Sequence, residues 1–241
     1  MRLEVNRIIW KDRRGALQRP LTAALVCDVH DGPFEHILPH LKGADMILVA
    51  GDLTNRHDPE PPRRAGDFLR AMADTAPTWY SIGNHERRMP GAAEWRAVME
   101  ASGAHVLDNA VAQAREDLWI GGLSSQQHPT DDTAPRLLER QEGFRLLLCH
   151  HPEVFRTLVA PHAVDLTLAG HAHGGQFRFF GHGLYAPGQG PFPRLTSGLY
   201  YDGRLLVSRG TGTHGPLPRL FNPCELILLT LEPGGAEPAE S

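Results

Sequence analysis

Short apolar runs alternate along the chain with longer stretches in which apolar and polar positions are spaced as on a helix. The apolar runs have the length of buried strands and cover Leu21–Val26, Met46–Ala50, Thr78–Ile82, Leu118–Ile120, Phe144–Cys149 and Leu166–Ala169. The helix-compatible stretches between them are Phe34–Leu41, Arg63–Ala73, Gly91–Ser102 and Pro152–Val159. This repeated strand–helix order predicts an α/β core with a largely parallel sheet.

The pattern changes after Gly174. Residues 174–198 are rich in glycine, proline and aromatic residues, which predicts a long irregular segment. Two further strands are predicted at Arg204–Arg209 and Glu225–Glu232. Because no repeat and no linker divides the chain, we predict a single domain over residues 1–241, with residues 233–241 as a frayed tail.

The composition is that of a globular protein, with 41% hydrophobic and 22% charged residues. No run approaches the roughly 18 apolar residues of a transmembrane helix, and the first residues lack the apolar core of a signal peptide. Cys27, Cys149 and Cys224 are too few for a disulfide framework and are expected to be buried thiols. These features favour a cytoplasmic protein, with peripheral membrane contact left open.

The net charge of −4 argues against bulk nucleic-acid binding, and nothing in the sequence sets the oligomeric state. The 14 histidines, by contrast, are an excess that points to metal chemistry, because imidazole is the commonest metal ligand.

Ligand-type side chains follow five of the predicted strands. In chain order they are Asp28, His30, Asp52, Asn84, His150, His171 and His173. The carboxyl ends of strands in an open α/β sheet meet at one crevice, so these groups are expected to converge.

The chemistry of this set is that of a nitrogen and oxygen ligand field without thiolate. Such a field suits Mn, Fe or Zn rather than calcium. Seven groups exceed the needs of one tetrahedral ion but suit two ions about 3.5–4 Å apart. Asp52 is central among them and is the candidate bridging carboxylate. The predicted cofactor is therefore a pair of divalent metal ions.

The order of these motifs resembles that of the calcineurin-like metallophosphoesterase superfamily. The matching motifs are D-x-H at 28–30, G-D at 51–52, G-N-H-E at 83–86, His150 and G-H-x-H at 170–173. Residues 169–176, 198–200, 207–210 and 218–219 further resemble its YkuE/YaeI-type phosphodiesterase branch.

The resemblance implies a four-layer α/β/β/α sandwich with a dimetal centre above the sheets. It assigns Asp28, His30 and His173 to one metal. It assigns Asn84, His150 and His171 to the other, with Asp52 bridging the two.

The resemblance also implies that His85 is the catalytic histidine, which would protonate the leaving alkoxide. The alternative is that His85 only orients Asn84. Asn55 stands where the family motif has aspartate, so it would contact His85 without adding charge, which predicts either a lower pH optimum or a preference for activated leaving groups. Arg56 is a candidate phosphate contact, or else a solvated loop arginine.

The leading hypothesis is a metal-dependent phosphodiesterase acting on a small-molecule or phospholipid-like phosphate ester. One alternative is a nuclease or cyclic-nucleotide phosphodiesterase using the same site, and another is a non-catalytic metal-binding scaffold. A set of aromatic residues is expected either to line an apolar pocket for the substrate or to pack a second layer: Phe177, Phe179, Phe180, Phe192, Tyr200 and Tyr201.

Overall fold

Strands make up most of the regular structure in the computed structural model, which describes residues 2–55, 63–90, 92–125, 131–213 and 219–234. The strands in these ranges are β1 Leu3–Lys11, β2 Leu21–Val26, β3 Met46–Ala50, β4 Thr78–Ser81, β5 His105–Leu107, β6 Ala110–Arg115, β7 Leu118–Leu123, β8 Phe144–Cys149, β9 Leu166–Ala169, β10 Arg178–Phe179, β11 His182–Gly183, β12 Tyr185–Ala186, β13 Gly190–Pro191, β14 Gly198–Tyr200, β15 Leu205–Val207 and β16 Cys224–Glu232.

The helices of the described residues are short. They are α1 Leu38–Leu41, α2 Arg63–Thr75, α3 Asn84–Arg88, α4 Ala92–Ala101 and α5 Thr133–Leu138. Short 3₁₀ turns cover Pro152–Val154 and His173–Gly175, and a π turn covers Phe155–Val159. Among the described residues, no helix combines the length and apolar character that a membrane span requires.

Twelve of these strands form two six-stranded sheets. The first has the order β1-β16-β2-β3-β4-β5 and the second has the order β14-β15-β9-β8-β7-β6. Strands β2 to β5 are parallel, as are β7, β8, β9 and β15. The antiparallel pairings are β16 with β2, β6 with β7 and β14 with β15. The parallel centre of each sheet places the carboxyl ends of its strands on one side.

The two sheets pack face to face through an apolar core. Leu25 and Leu48 of the first sheet meet Leu146 and Leu168 of the second in this layer. Alternate residues point the other way: Ile47, for example, packs against α2 and α4 in a second cluster.

A third cluster fills the space between the second sheet and the elements outside it. It contains Leu147 of β8, Leu138 of α5, and Phe155 and Val159 of the π turn. The central strands are therefore covered on both faces, which is why they are apolar runs without alternation. The predicted four-layer α/β/β/α arrangement is confirmed.

Several element predictions need correction. Only Leu38–Leu41 of the predicted helix Phe34–Leu41 is helical. The predicted helix Pro152–Val159 is a 3₁₀ turn followed by a π turn, and the strand that begins at Leu118 extends to Leu123. The segment 174–198 is largely irregular, as predicted, and contains the small β10–β11 and β12–β13 hairpins. All three cysteines are buried thiols. Residues 235–241 of the predicted tail lie outside the described residues.

Candidate metal centre

Sharp turns at the carboxyl ends of the strands carry the predicted ligands. Asp28 follows β2, Asp52 follows β3, and His171 follows β9. These three residues have left-handed backbone conformations, with φ of 54°, 54° and 65°. Such conformations are unfavourable for residues other than glycine and concentrate at functional sites. The turns aim the side chains at one point above the sheets.

Two glycines permit the close packing of these turns. A Cβ at Gly83 would collide with the carboxylate and backbone nitrogen of Asp52, and a Cβ at Gly170 would meet the carboxylate of Asp28 and the side chain of Cys27. Glycine is therefore required at both positions by the close approach of an aspartate that is a candidate ligand.

One half of the site is formed by Asp28, His30 and His173, all buried. His30 Nε2 lies 3.3 Å from His173 Nε2. Asp28 Oδ1 lies 3.6 Å from His173 Nε2 and 4.0 Å from His30 Nε2. Three potential ligand atoms thus face a common point.

The other half contains Asp52, His150, His171 and Asn84. His150 Nε2 lies 3.0 Å from Asp52 Oδ2 and 3.2 Å from His171 Nδ1. The Oδ1 atom of Asn84 is buried and has no hydrogen-bond partner among the described residues. The two halves adjoin, since Asp28 Oδ1 is 4.0 Å from His150 Nε2.

These residues fit a pair of divalent cations. With metal–ligand bonds of about 2.1 Å, neighbouring ligand atoms on one metal lie about 3.0–3.4 Å apart. The shortest spacings within the two halves, 3.0 Å, 3.2 Å and 3.3 Å, are of this size. A buried amide oxygen such as Asn84 Oδ1 is costly without a partner, and a cation would supply one. The donor set contains no thiolate, as expected for Mn, Fe or Zn.

The electrostatics of Asp52, His171 and His173 agree with this fit, whereas for His150 the neighbouring Asp52 outweighs burial and raises the pKa to about 10. Burial opposes ionisation of Asp52, but His150 and the other nearby histidines hold the pKa of Asp52 well below its usual value. Burial, together with the neighbouring histidines, lowers the pKa of His171, and burial lowers that of His173 to about 4. Near neutral pH Asp52 is therefore a carboxylate, and His171 and His173 are neutral imidazoles, the forms that bind cations.

Hydrogen bonds from outside the cluster orient its members. His150 Nδ1 lies 2.7 Å from the carbonyl oxygen of Ala50, which leaves Nε2 directed into the site. Asp28 accepts the backbone N–H of His171 at 3.0 Å. Asn222 Nδ2 donates to the carbonyl of His173 at 2.7 Å, and Arg219 Nη2 lies 3.2 Å from His173 Nδ1. Sequence analysis assigned no role to Arg219 or Asn222, because they lie far along the chain and outside the metal motifs.

Glu86 is a further residue whose role was not predicted. Its carboxylate is buried and accepts the backbone N–H groups of Asp52, Gly83 and Thr54 at 3.0 Å, 2.8 Å and 3.1 Å. Burial and the nearby Asp52 raise the pKa of Glu86 to about 7. Glu86 thus ties the turn after β3 to the turn after β4. Its place at the end of the G-N-H-E motif was the available signal.

His85 lies beside this arrangement and lines a pocket. Its Nε2 is 3.9 Å from Asp52 Oδ2, and its backbone N–H donates to Asp52 Oδ1 at 2.9 Å. The ring stands edge-on to that of His30, with centroids 4.5 Å apart. The backbone N–H of Asn55 donates to Asp31 at 2.6 Å, and the expected contact of its side chain with His85 stays a prediction. Arg56 lies outside the described residues.

A pocket of about 530 Å³ opens onto the cluster. Asp52, Asn84, His85, His171 and His173 form part of its polar lining. Its apolar wall consists of Leu123, Cys149, Val154, Leu158 and Pro187.

The predicted aromatic set does not contribute to the described lining of this pocket. Phe179 and Phe180 are instead 62% and 88% exposed, and Phe192 is 79% exposed. These three side chains do not pack a second layer either, whereas Tyr200 packs against the third cluster and Tyr201 stacks on Phe155.

Comparison with known proteins identifies the class. The family model for calcineurin-like phosphoesterases matches residues 21–175, nearly two thirds of the chain, so the protein belongs to this family of metal-dependent phosphoester hydrolases. The match begins at β2 and ends just after His173, and thus includes every predicted metal ligand.

Individual relatives agree with this class. The chain is 27% identical over 246 residues to an uncharacterized metallophosphoesterase, Cj0846, of Campylobacter jejuni, covering 90% of this chain and 60% of that protein. It is 29% identical over 208 residues to the uncharacterized metallophosphoesterase YkuE of Bacillus subtilis, covering 78% and 68%. The similarity to YkuE supports the predicted branch.

The chain spans only part of the length of these relatives. The chain spans about 60% of the length of Cj0846 and 61% of a Helicobacter pylori metallophosphoesterase to which it is 28% identical. A solved metallophosphoesterase from Sphaerobacter thermophilus aligns with 64% of this chain and 61% of that one, at a TM-score of 0.35 and 19% identity, and adds nothing to the assignment.

Proposed function

We propose that the protein hydrolyses a phosphodiester bearing an apolar group, using two divalent ions (Mn, Fe or Zn). In this proposal Asp28, His30 and His173 hold one ion and Asn84, His150 and His171 hold the other, with Asp52 bridging. The observation that carries the proposal is the convergence of these side chains from the ends of five strands. When bound, the ions would lower the pKa of a water molecule and offset charge on the phosphoryl oxygens.

His85 is the proposed proton donor to the leaving alkoxide. The residue is 5% exposed and lines the pocket next to the proposed ligands, so its ring can face both the metals and a bound ester. The hydrogen bond from the backbone N–H of His85 to the carboxylate of Asp52 holds His85 in this position. Proton donation of this kind contributes about 10²–10⁴-fold to rate.

The pocket supports the apolar part of the proposed substrate. Leu123, Val154, Leu158 and Pro187 offer a surface on which an alkyl or aromatic alcohol would be desolvated. The described lining contains the acidic residues Asp131 and Glu153 and one arginine, Arg88. To bind the phosphate backbone of a polynucleotide, the protein would need a stretch of positive charge beside the pocket. A small or lipid-like diester therefore fits this pocket better.

The test is a metal and substrate screen on the purified protein. Chelated protein would be reloaded with Mn, Fe, Zn or Mg and assayed with bis-p-nitrophenyl phosphate, p-nitrophenyl phosphate, single-stranded DNA and cyclic nucleotides. We expect diester turnover that needs added metal and is lost in Asp52→Asn.

A matched control is Asp117→Asn, which removes a buried carboxylate. Asp117 directly precedes β7, so it lies at the end of this strand that is farther from the candidate metal centre. This variant should keep metal-dependent turnover. Absence of diester turnover with every metal would favour a non-catalytic scaffold, and preferred hydrolysis of DNA or cyclic nucleotides would overturn the proposed substrate class.

A further inference from the structure

Three phenylalanines combine high exposure with an unfavourable backbone conformation. Phe180, Phe192 and Phe221 are 88%, 79% and 79% exposed. Their φ angles are 48°, 53° and 52°, in the left-handed region. Bulky residues are rare in this region, where glycine or asparagine is the usual choice.

Folding does not account for these side chains. A ring that remains largely in water contributes little hydrophobic stabilisation, and the left-handed backbone adds a conformational cost. Asparagine at the same positions would suit both the turn and the solvent. The three phenylalanines therefore indicate a surface that acts outside the fold.

The segments that carry the three phenylalanines are joined by backbone hydrogen bonds. The backbone N–H of Arg178 donates to the carbonyl of Leu220 at 3.0 Å. Leu184 links the segment at Phe177 to the segment at Phe192. Its N–H donates to the carbonyl of Phe177 at 2.8 Å, and its carbonyl accepts the N–H of Phe192 at 2.9 Å. We call the exposed apolar side chains of these segments the aromatic rim, which consists of Phe179, Phe180, Phe192, Leu220 and Phe221.

The aromatic rim is connected to the pocket. Phe192 follows the β12–β13 hairpin, and the loop between those strands contains Pro187 and Gly188, which line the pocket. Phe179 follows closely after His173 and the turn at Gln176. An external surface that contacts the aromatic rim would therefore lie beside the candidate metal centre.

Charge separates this region from the rest of the chain. Residues 176–200 contain two arginines, Arg178 and Arg194, and no acidic residue, a net charge of +2 in a chain whose total is −4. Arg194, two residues after Phe192, is exposed. Arg178, beside Phe179, is half-buried and donates to the carbonyls of Gly174 and Gly181. Aromatic residues combined with basic charge favour an anionic membrane surface.

We propose that the aromatic rim inserts into the interface of an anionic phospholipid membrane, with Arg194 facing the headgroups. Separate protruding rings can each enter a fluid lipid surface, whereas a protein partner would need a matching cavity for each one. Docking in this orientation would bring the pocket next to lipid-borne esters. Membrane binding itself does not depend on catalysis, so it stands or falls separately from the proposed function.

The test measures binding to vesicles, not turnover of the phospholipids in them. Cosedimentation would compare vesicles of phosphatidylcholine alone with vesicles that also contain phosphatidylglycerol. We expect binding that prefers the anionic vesicles. The triple variant Phe180→Asn, Phe192→Asn, Phe221→Asn should bind them about tenfold or more weakly, while its melting temperature equals or exceeds that of the wild type.

Two further variants sharpen the result. Ile9→Thr changes a residue of β1 that is 63% exposed and lies outside the aromatic rim, and it should bind vesicles like the wild type. Arg194→Gln should weaken binding to anionic vesicles by about fivefold and leave binding to phosphatidylcholine unchanged. Failure of the wild type to bind either vesicle, or equal binding by the triple variant, would overturn the proposal. A dimer in light scattering that the triple variant abolishes would also overturn it, in favour of a second copy as the partner.

Discussion

The carboxylate of Glu86 accepts the backbone N–H of Asp52 at 3.0 Å, so the residue proposed to bridge two metals is positioned by a buried acid from another strand end. The same carboxylate accepts N–H groups from Gly83 and Thr54. A single side chain thus joins two of the turns that form the candidate metal centre. Outer contacts of this kind commonly set how strongly a metal site binds its ion.

Replacing Glu86 should therefore weaken metal binding without removing a ligand. We expect Glu86→Ala to lower metal affinity by about 10–100-fold. It should also lower the free energy of unfolding by about 1–3 kcal/mol, because buried N–H groups lose their acceptor. Metal titration and urea unfolding measure the two effects.

The conservative variant Glu86→Gln separates these effects. Its amide oxygen can accept only part of the hydrogen bonding, so it should recover much of the stability and part of the metal affinity. Wild-type metal affinity in Glu86→Ala would contradict a positioning role for Glu86.

His85→Ala tests the proton donor. We expect two metals per chain to remain and turnover to fall by about 10²–10⁴-fold for an ester with a poor leaving group. The loss should be much smaller for p-nitrophenyl esters, because their leaving group needs little protonation. Elemental analysis and steady-state kinetics measure both quantities.

His151→Ala is the matched control, since His151 also lines the pocket but is bound to Glu153 at 3.0 Å and is outside the proposed ligand set. It should retain most of the turnover. If His85→Ala instead loses metal in proportion to activity, His85 is a ligand rather than the acid, an arrangement that its proximity to His30 and Asp52 would allow.

Asn55→Asp tests the departure from the family motif. An added carboxylate next to His85 would raise the pKa of its imidazole, and the alkaline limb of the pH–rate profile should move up by about one unit. The profile would be measured for both proteins with equal metal content. An unchanged profile would show that residue 55 does not act on the titration of the acid.

Asp117→Asn gives a pH-dependent loss of stability away from the site. Burial alone would raise the pKa of Asp117, but hydrogen bonds from Arg115 and from the backbone N–H of Gln18 lower it below its usual value. A lowered pKa in the folded state contributes stability that is present above about pH 4 and is lost as the pH falls through the folded pKa.

We therefore expect Asp117→Asn to be less stable than the wild type by about 1.5–3 kcal/mol at pH 6. The difference should shrink as the pH falls below about 4. Urea unfolding of the two proteins across this range provides the comparison, and a difference that does not change with pH would contradict the assignment.

Sequence was a good guide to the central strands and to which candidate ligand side chains lie together. Leu21–Val26 and Phe144–Cys149 are buried on both faces, so their apolar runs mark the strands without ambiguity. The ligand motifs follow such strands directly, and the parallel sheets bring them together. Strand β1 was missed because it lies at a sheet edge, where half-exposed positions and charged residues hide the pattern.

Other features depend on contacts between distant parts of the chain. Asn222 reaches His173 only through the folding of the segment after β15, and no local pattern marks it. The exposure of Phe180 and Phe192 was equally hidden, because aromatic residues in an irregular segment are compatible with either packing or a surface. Backbone conformation at these positions supplied the distinction.

The most direct test of the account is the number of metal ions held by the wild type and by Asp52→Asn. Elemental analysis of protein reloaded with manganese, together with anomalous diffraction at the metal edge, should find two ions per wild-type chain, on either side of the Asp52 carboxylate. Asp52→Asn should retain its fold by circular dichroism and hold at most one ion. A wild-type chain that binds no ion at these residues, or a variant that still binds both, would contradict the dimetal centre.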